Sequence, residues 1–156
     1  MAADPYFSDH KELEDPLPGF AFLLDLGDGA KGYFQECSGI GSEHEIIEIK
    51  TVDSKGHEVV IKQPGRLKWG DVTLKRGITN KLTMWEWREK IVKGAVKDAR
   101  KNCSITMLDR GYNPVATWHF DNAWPSKLTG PSLKADGNDF GVEELTLVHE
   151  GMYREK

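Results

Sequence analysis

The sequence predicts a mainly β domain: a small β-barrel or two-sheet sandwich with one flanking α-helix and a long extended hairpin. Three observations carry this. About eight or nine short runs of β-branched or alternating apolar residues recur along the chain, divided by Gly, Pro, Asn and Asp turns. Only one stretch, Asn80 to Val92, repeats apolar residues at helical spacing. The length of 156 residues fits one core, and 38% hydrophobic with 29% charged residues is the balance of a folded soluble domain.

Residues 1–15 are polar and acidic and read as a flexible arm; residues 16–156 read as a single domain. The N-terminal stretch has no basic segment followed by an apolar one, so no signal peptide is expected. The apolar run Phe20 to Leu24 is far too short to span a bilayer. The chain is expected to be made in the cytoplasm and to leave a cell only by lysis or inside a larger particle.

The turn Pro16-Leu17-Pro18-Gly19 precedes a first strand, Phe20 to Leu26. Gly27-Asp28-Gly29 contains the Asp-Gly hairpin signal, and Lys31 to Cys37 returns. Ser38-Gly39-Ile40-Gly41 breaks that strand. His44 to Val52 and Glu58 to Lys62 then form the arms of a hairpin around Asp53-Ser54-Lys55-Gly56, with Pro64-Gly65 expected to end the second arm. A two-stranded ribbon of this kind is marginal alone in water and needs a partner. Asp71 to Lys75 alternates as a half-buried strand.

The helix from Asn80 to Val92 is expected to be capped by Thr79 or Asn80, with capping-box spacing at Thr83 and Glu86, and to stop at Gly94. Leu82, Trp85 and Val92 share one face; Met84, Trp87 and Ile91 share the next. So wide an apolar arc predicts a well-covered helix. Strands then follow at Cys103 to Leu108, Val115 to Phe120, Trp124 to Lys134 and Val142 to Glu150. Pro125 and Pro131 mark the third of these as edge or irregular.

Functional chemistry is sparse. A formal net charge of −4 argues against a nucleic-acid partner, since phosphate contacts require a basic excess. Cys37 and Cys103 are too few for a disulfide framework or a tetrahedral metal site. His57, His119 and His149 lie in no zinc-ligand spacing. The glycines of Ser38 to Ser42 lack the Gly-Lys-Ser/Thr ending of a phosphate loop. Ser38, Ser42, Ser104 and Ser126 lack a nucleophile elbow. Trp85 and Trp87 read as core packing plus one exposed or interface ring. No catalytic residue, cofactor or metal is expected.

Three stretches, taken as an ordered set, resemble a known family. They are Phe34-Gln35-Glu36-Cys37-Ser38-Gly39-Ile40 with Glu43 to Glu45; Lys62-Gln63-Pro64-Gly65 with Trp69 to Thr79 and Trp85 to Arg88; and Trp118 to Pro125 with Gly130-Pro131, Glu143 to Leu145 and His149-Glu150-Gly151. Over residues 16–152 the chain is similar to tail-tube proteins of contractile phages and of extracellular contractile injection systems, related to the type VI secretion tube protein. The resemblance implies a structural subunit. Six copies form a ring, inner sheets join edge to edge around a lumen, rings stack, and contraction of a sheath drives the tube into its target. It implies as partners other copies of the chain, a sheath protein, baseplate and tube-terminating proteins, and effector cargo in the lumen, with no specific nucleic acid and no direct membrane insertion.

On that reading the hairpin residues Ile46, Ile47, Ile49, Val59, Val60 and Ile61 are expected to make strand-mediated subunit contacts, with Lys75 and Arg76 at charged seams. Two alternatives stay open at this point: a monomeric small-molecule-binding β-barrel, and a tube-associated hydrolase.

Overall fold

The computed structural model describes residue 19, residues 21–131 and residues 141–155; the expected flexible arm at 1–15 lies outside them. Among the described residues ten strands and two helices follow in chain order: β1 (Ala21–Asp25), β2 (Lys31–Phe34), β3 (Glu36–Ser38), β4 (Ser42–Val52), β5 (Glu58–Trp69), β6 (Val72–Gly77), α1 (Thr83–Val92), α2 (Val96–Ala99), β7 (Lys101–Leu108), β8 (Pro114–Thr129), β9 (Val142–Val148) and β10 (Gly151–Arg154).

All but β4 and β5 belong to one antiparallel path, β2-β1-β7-β8-β9-β6-β3, with β10 also on β8. The path folds into two sheets because β8 serves both. Its first half pairs with β7 and β10, and its second half pairs with β9 from Trp124↔Val148 onward. The changeover sits at Asn122, whose φ of 48° is left-handed. Asparagine tolerates that region. Here its N–H donates to Asn102 Oδ1 (3.1 Å) and its side-chain amide to Glu150 Oε2 (2.7 Å).

At the other end of the path, β2 and β3 are successive pieces of one segment split at Gln35. The first piece pairs with β1 and the second with β6. Among the described residues the arrangement is therefore a two-sheet sandwich and not a closed barrel. The core lies between the sheets. Leu24, Phe34, Val72, Leu74, Ile105, Phe120, Leu145 and Leu147 alternate inward along their strands, and Met84 and Trp87 enter from α1.

Several boundaries differ from expectation. The expected strand at 31–37 is two strands. The expected strands at 115–120 and 124–134 are one continuous β8 that ends at Thr129; residues 132–134 of the expectation lie outside the described residues. Among the described residues Pro125 does lie on an edge, because in the second sheet that half of β8 pairs only with β9, next to an irregularity at Pro125/Lys127. The expected strand at 142–150 ends at Val148 as β9; the chain turns at His149-Glu150, where Glu150 N–H donates to the Asp121 carbonyl (2.9 Å), and β10 follows beyond the expected range.

Helix α1 starts at Thr83, with Leu82 at the N-cap and no side-chain cap bond. Thr79 instead accepts a hydrogen bond from the Lys81 N–H (3.3 Å), so the expected cap serves the preceding turn. The stop at Gly94 is as expected. Gly94 has φ +85°, and the Ala95 N–H to Lys90 and Gly94 N–H to Ile91 carbonyl bonds complete a Schellman closure.

Candidate functional site: an unpartnered hairpin

β4 and β5 pair with each other and with no other strand among the described residues. The ribbon is longer than expected, because β5 runs through Pro64-Gly65 to Trp69. Proline is tolerated there because each strand of a two-stranded ribbon has an open edge that needs no N–H donor. A bulge between His44 and Ile46 lies opposite the pair. At ~3.3 Å per residue the arms reach about 35 Å.

The tip is closed by Asp53. Its backbone N–H meets the His57 carbonyl, and its carboxylate accepts the N–H groups of Lys55 and His57. Gly56 supplies the required positive φ of 83°. At the root, Gly39 has φ +85°, and a Cβ there would lie 2.0 Å from the Asp71 carbonyl oxygen. The hairpin is thus fixed to the body where only glycine fits. His149 reinforces the root: it lies beside Trp69 and Phe120, and its Nε2 is 3.1 Å from the Gly70 carbonyl. A carbonyl oxygen only accepts, so Nε2 carries a proton and donates in that contact.

The register sorts the hairpin side chains. Ile47↔Gln63, Ile49↔Ile61 and Thr51↔Val59 share one face; Ile46↔Pro64, Glu48↔Lys62, Lys50↔Val60 and Val52↔Glu58 share the other. One face is thus mostly aliphatic and the other is striped with charge. Ile46, Ile47, Ile49, Val60 and Ile61 are between 40% and 67% exposed, and Val59 is half-buried. This is a concentration of large apolar side chains left exposed, with no strand beside β4 and β5 to cover them among the described residues.

The two charged residues of the expected seam part company. Lys75 is half-exposed, with Glu36 and Glu144 each 4.0 Å away. Arg76 points the other way and is 5% exposed. Its Nε donates to Glu143 Oε2 (3.1 Å), and its guanidinium stacks over Phe34 at 5.0 Å. Glu143 Oε1 accepts the Trp85 indole N–H (2.7 Å). Alternation could have signalled this, since Arg76 is in phase with buried Val72 and Leu74.

The rest of the described surface offers little chemistry. Among the described residues no three His, Cys, Asp or Glu side chains are placed to hold a metal ion, and no helix is long and apolar enough to cross a membrane. His57 stands exposed near Asp53, and His119 meets Glu155. Burial pushes the Cys37 and Cys103 thiols up to about 12, which suppresses the nucleophilic thiolate.

A sequence profile described as T4-like virus tail tube protein gp19 matches residues 18–153. The chain belongs to this tail tube family. No curated protein sequence matches it. Among solved structures, a chain of the sheath–tube complex of an extracellular contractile injection system (PVC) in the extended state is 25% identical. It covers 95% of this tube protein and 97% of its own length, with a TM-score of 0.70. A chain of the sheath/tube terminator of the same system is 27% identical, covering 92% and 99%, again at 0.70. Hcp1 from Flavobacterium johnsoniae, at 14% identity, 86% and 94% coverage and a TM-score of 0.54, shares the fold.

Proposed function

We propose that this tail tube protein forms six-membered rings that stack into the inner tube of a contractile injection particle, surrounded by a sheath and closed by baseplate and terminator proteins. Support comes from relatives of matching length in sheath–tube and sheath/tube-terminator complexes, and from a fold relative in a six-fold symmetrised baseplate. The observation that carries the reading is the hairpin. A ribbon of about 35 Å with exposed isoleucines and valines on both faces is stable only when something covers it, and a head-to-tail ring or stack supplies the cover.

On this reading Ile46, Ile47, Ile49, Val59, Val60 and Ile61 contact a neighbouring copy, and Lys75 sits at a charged seam. Arg76, buried in its own subunit, acts on that seam by holding β6 against β9. The role is structural and needs no catalytic group, cofactor or metal. A carrier with a ligand inside its barrel is not favoured, because Phe34, Phe120, Leu74 and Leu145 fill the space between the sheets.

The test is negative-stain electron microscopy of the purified chain at high concentration beside particles from the native cells. Hollow rings or tubes, with this chain abundant in sheathed particles, are expected. A monodisperse monomer absent from every particle overturns the reading.

A further inference from the structure

Helix α1 and its N-cap carry apolar side chains that stay exposed among the described residues. Met84 and Trp87 are buried, yet Leu82 and Val92 are 60% and 70% exposed and Trp85 is 37% exposed. With Leu128 of β8 these three line an open groove of about 460 Å³. The Trp85 indole N–H is already taken by Glu143 at 2.7 Å, so an apolar partner covering the ring leaves no donor stranded. Glu86, Arg88 and Glu89 stand around the groove. An apolar centre with a charged border is the layout of a protein–protein interface.

We propose that this groove is the socket for the apolar hairpin face of a second copy, with Ile47, Ile49, Val59 and Ile61 seated over Leu82, Trp85 and Val92. The proposal rests on the tube reading and names the two surfaces that meet. A head-to-tail assembly needs two different, complementary patches on every subunit; the hairpin face is one, and the second must be apolar and lie elsewhere. The dimensions agree. The apolar rows from Ile47 to Thr51 and Val59 to Gln63 run about 13 Å at strand spacing, and Leu82 to Val92 spans about 15 Å along the helix.

A larger exposed groove, about 770 Å³ beside Tyr33 and Tyr112, is lined by Gln35, Arg76 and Thr79. An isoleucine-valine face offers those polar groups and phenol hydroxyls no hydrogen-bond partner. The helix groove is the better match.

The experiment places one charge on each side. Leu82→Glu and Val92→Glu alter the socket, and Ile49→Glu alters the hairpin. All three sites are exposed in the single chain, so circular dichroism and Tm are expected to match wild type. Each change is expected to raise the protein concentration needed for tubes by about tenfold or more, because a charge would be buried without a partner. Ile49→Lys combined with Val92→Glu is expected to recover part of that loss. Normal tube formation by both socket variants, with Ile49→Glu defective, overturns the socket while leaving the tube reading intact. Wild-type protein that forms no tubes and is absent from native particles removes the tube reading and the socket together.

Discussion

Cys37 and Cys103 show how burial decides the behaviour of a single residue. Removing each thiol from water raises its proton affinity, and Asp25 adds to the effect at Cys103. At pH 8 a thiol reagent is expected to modify neither residue in the folded chain and both in urea; rapid labelling of the folded chain would refute this. The sign of the pH dependence follows. An unfolded thiol titrates near 9.0 and a folded one near 12, so above pH 9 the unfolded chain releases protons that the folded chain retains. Stability is therefore full below pH 9 and falls as pH rises toward 12, which urea midpoints at pH 8 and pH 10 would read. A second residue-scale feature is Tyr112. Its hairpin tip repeats the Asp53 turn, with Asp109 accepting the N–H groups of Gly111 and Asn113. Where the first turn uses Gly56, this one uses a tyrosine at φ 60°, whose ring meets Tyr33 edge-on at 6.4 Å. A non-glycine residue there carries roughly 1–2 kcal/mol of strain, and sequence alone gave no hint of it.

Between elements, the Arg76, Glu143 and Trp85 set joins β6, β9 and α1 through one carboxylate. Glu143→Ala leaves a buried guanidinium without its counter-charge and is expected to cost about 3–5 kcal/mol, whereas replacing both Arg76 and Glu143 by apolar residues of similar volume is expected to cost far less. Chemical denaturation of the single and double variants would decide; equal losses would mean that volume and not charge governs the site. Charge reversal at Arg76 is for the same reason a test of folding before it is a test of assembly. The alternation of Asp71 to Lys75, the Asp28-Gly29 turn, the Gly94 stop and the edge position of Pro125 were legible in the sequence because each depends on local sterics or strand parity. The continuation of β5 through Pro64 was not, since it depends on which edge of the strand is open. The late start of α1 was not, since Thr79 serves another turn, and neither was the exposure of Leu82 and Val92, where the wide apolar arc predicts a well-covered helix. The union of two strands into β8 needed the fold, because only there does Asn122 gain its Asn102 and Glu150 partners.

At the scale of the whole molecule the body and the hairpin separate energetically. Every residue of the buried core lies outside β4 and β5, and the hairpin leaves the body where Ser42 faces Trp69 and the Gly70 N–H meets the Gly41 carbonyl at 3.0 Å. The hairpin therefore adds little to the stability of one subunit, while its exposed isoleucines and valines disfavour a lone one in water. On the proposed tube reading its stabilising contribution belongs to the assembly, where the same side chains would leave water against a second copy. Replacing residues 43–68 by a short turn tests this division. The shortened chain is expected to keep a Tm within a few degrees of wild type, remain monomeric by sedimentation at any concentration, and fail to enter tubes when co-expressed with the intact chain. Unfolding of the shortened chain would show that the hairpin supports the sandwich. Tubes built from it would place the contacts that hold the rings together on the body and deprive the hairpin of its role.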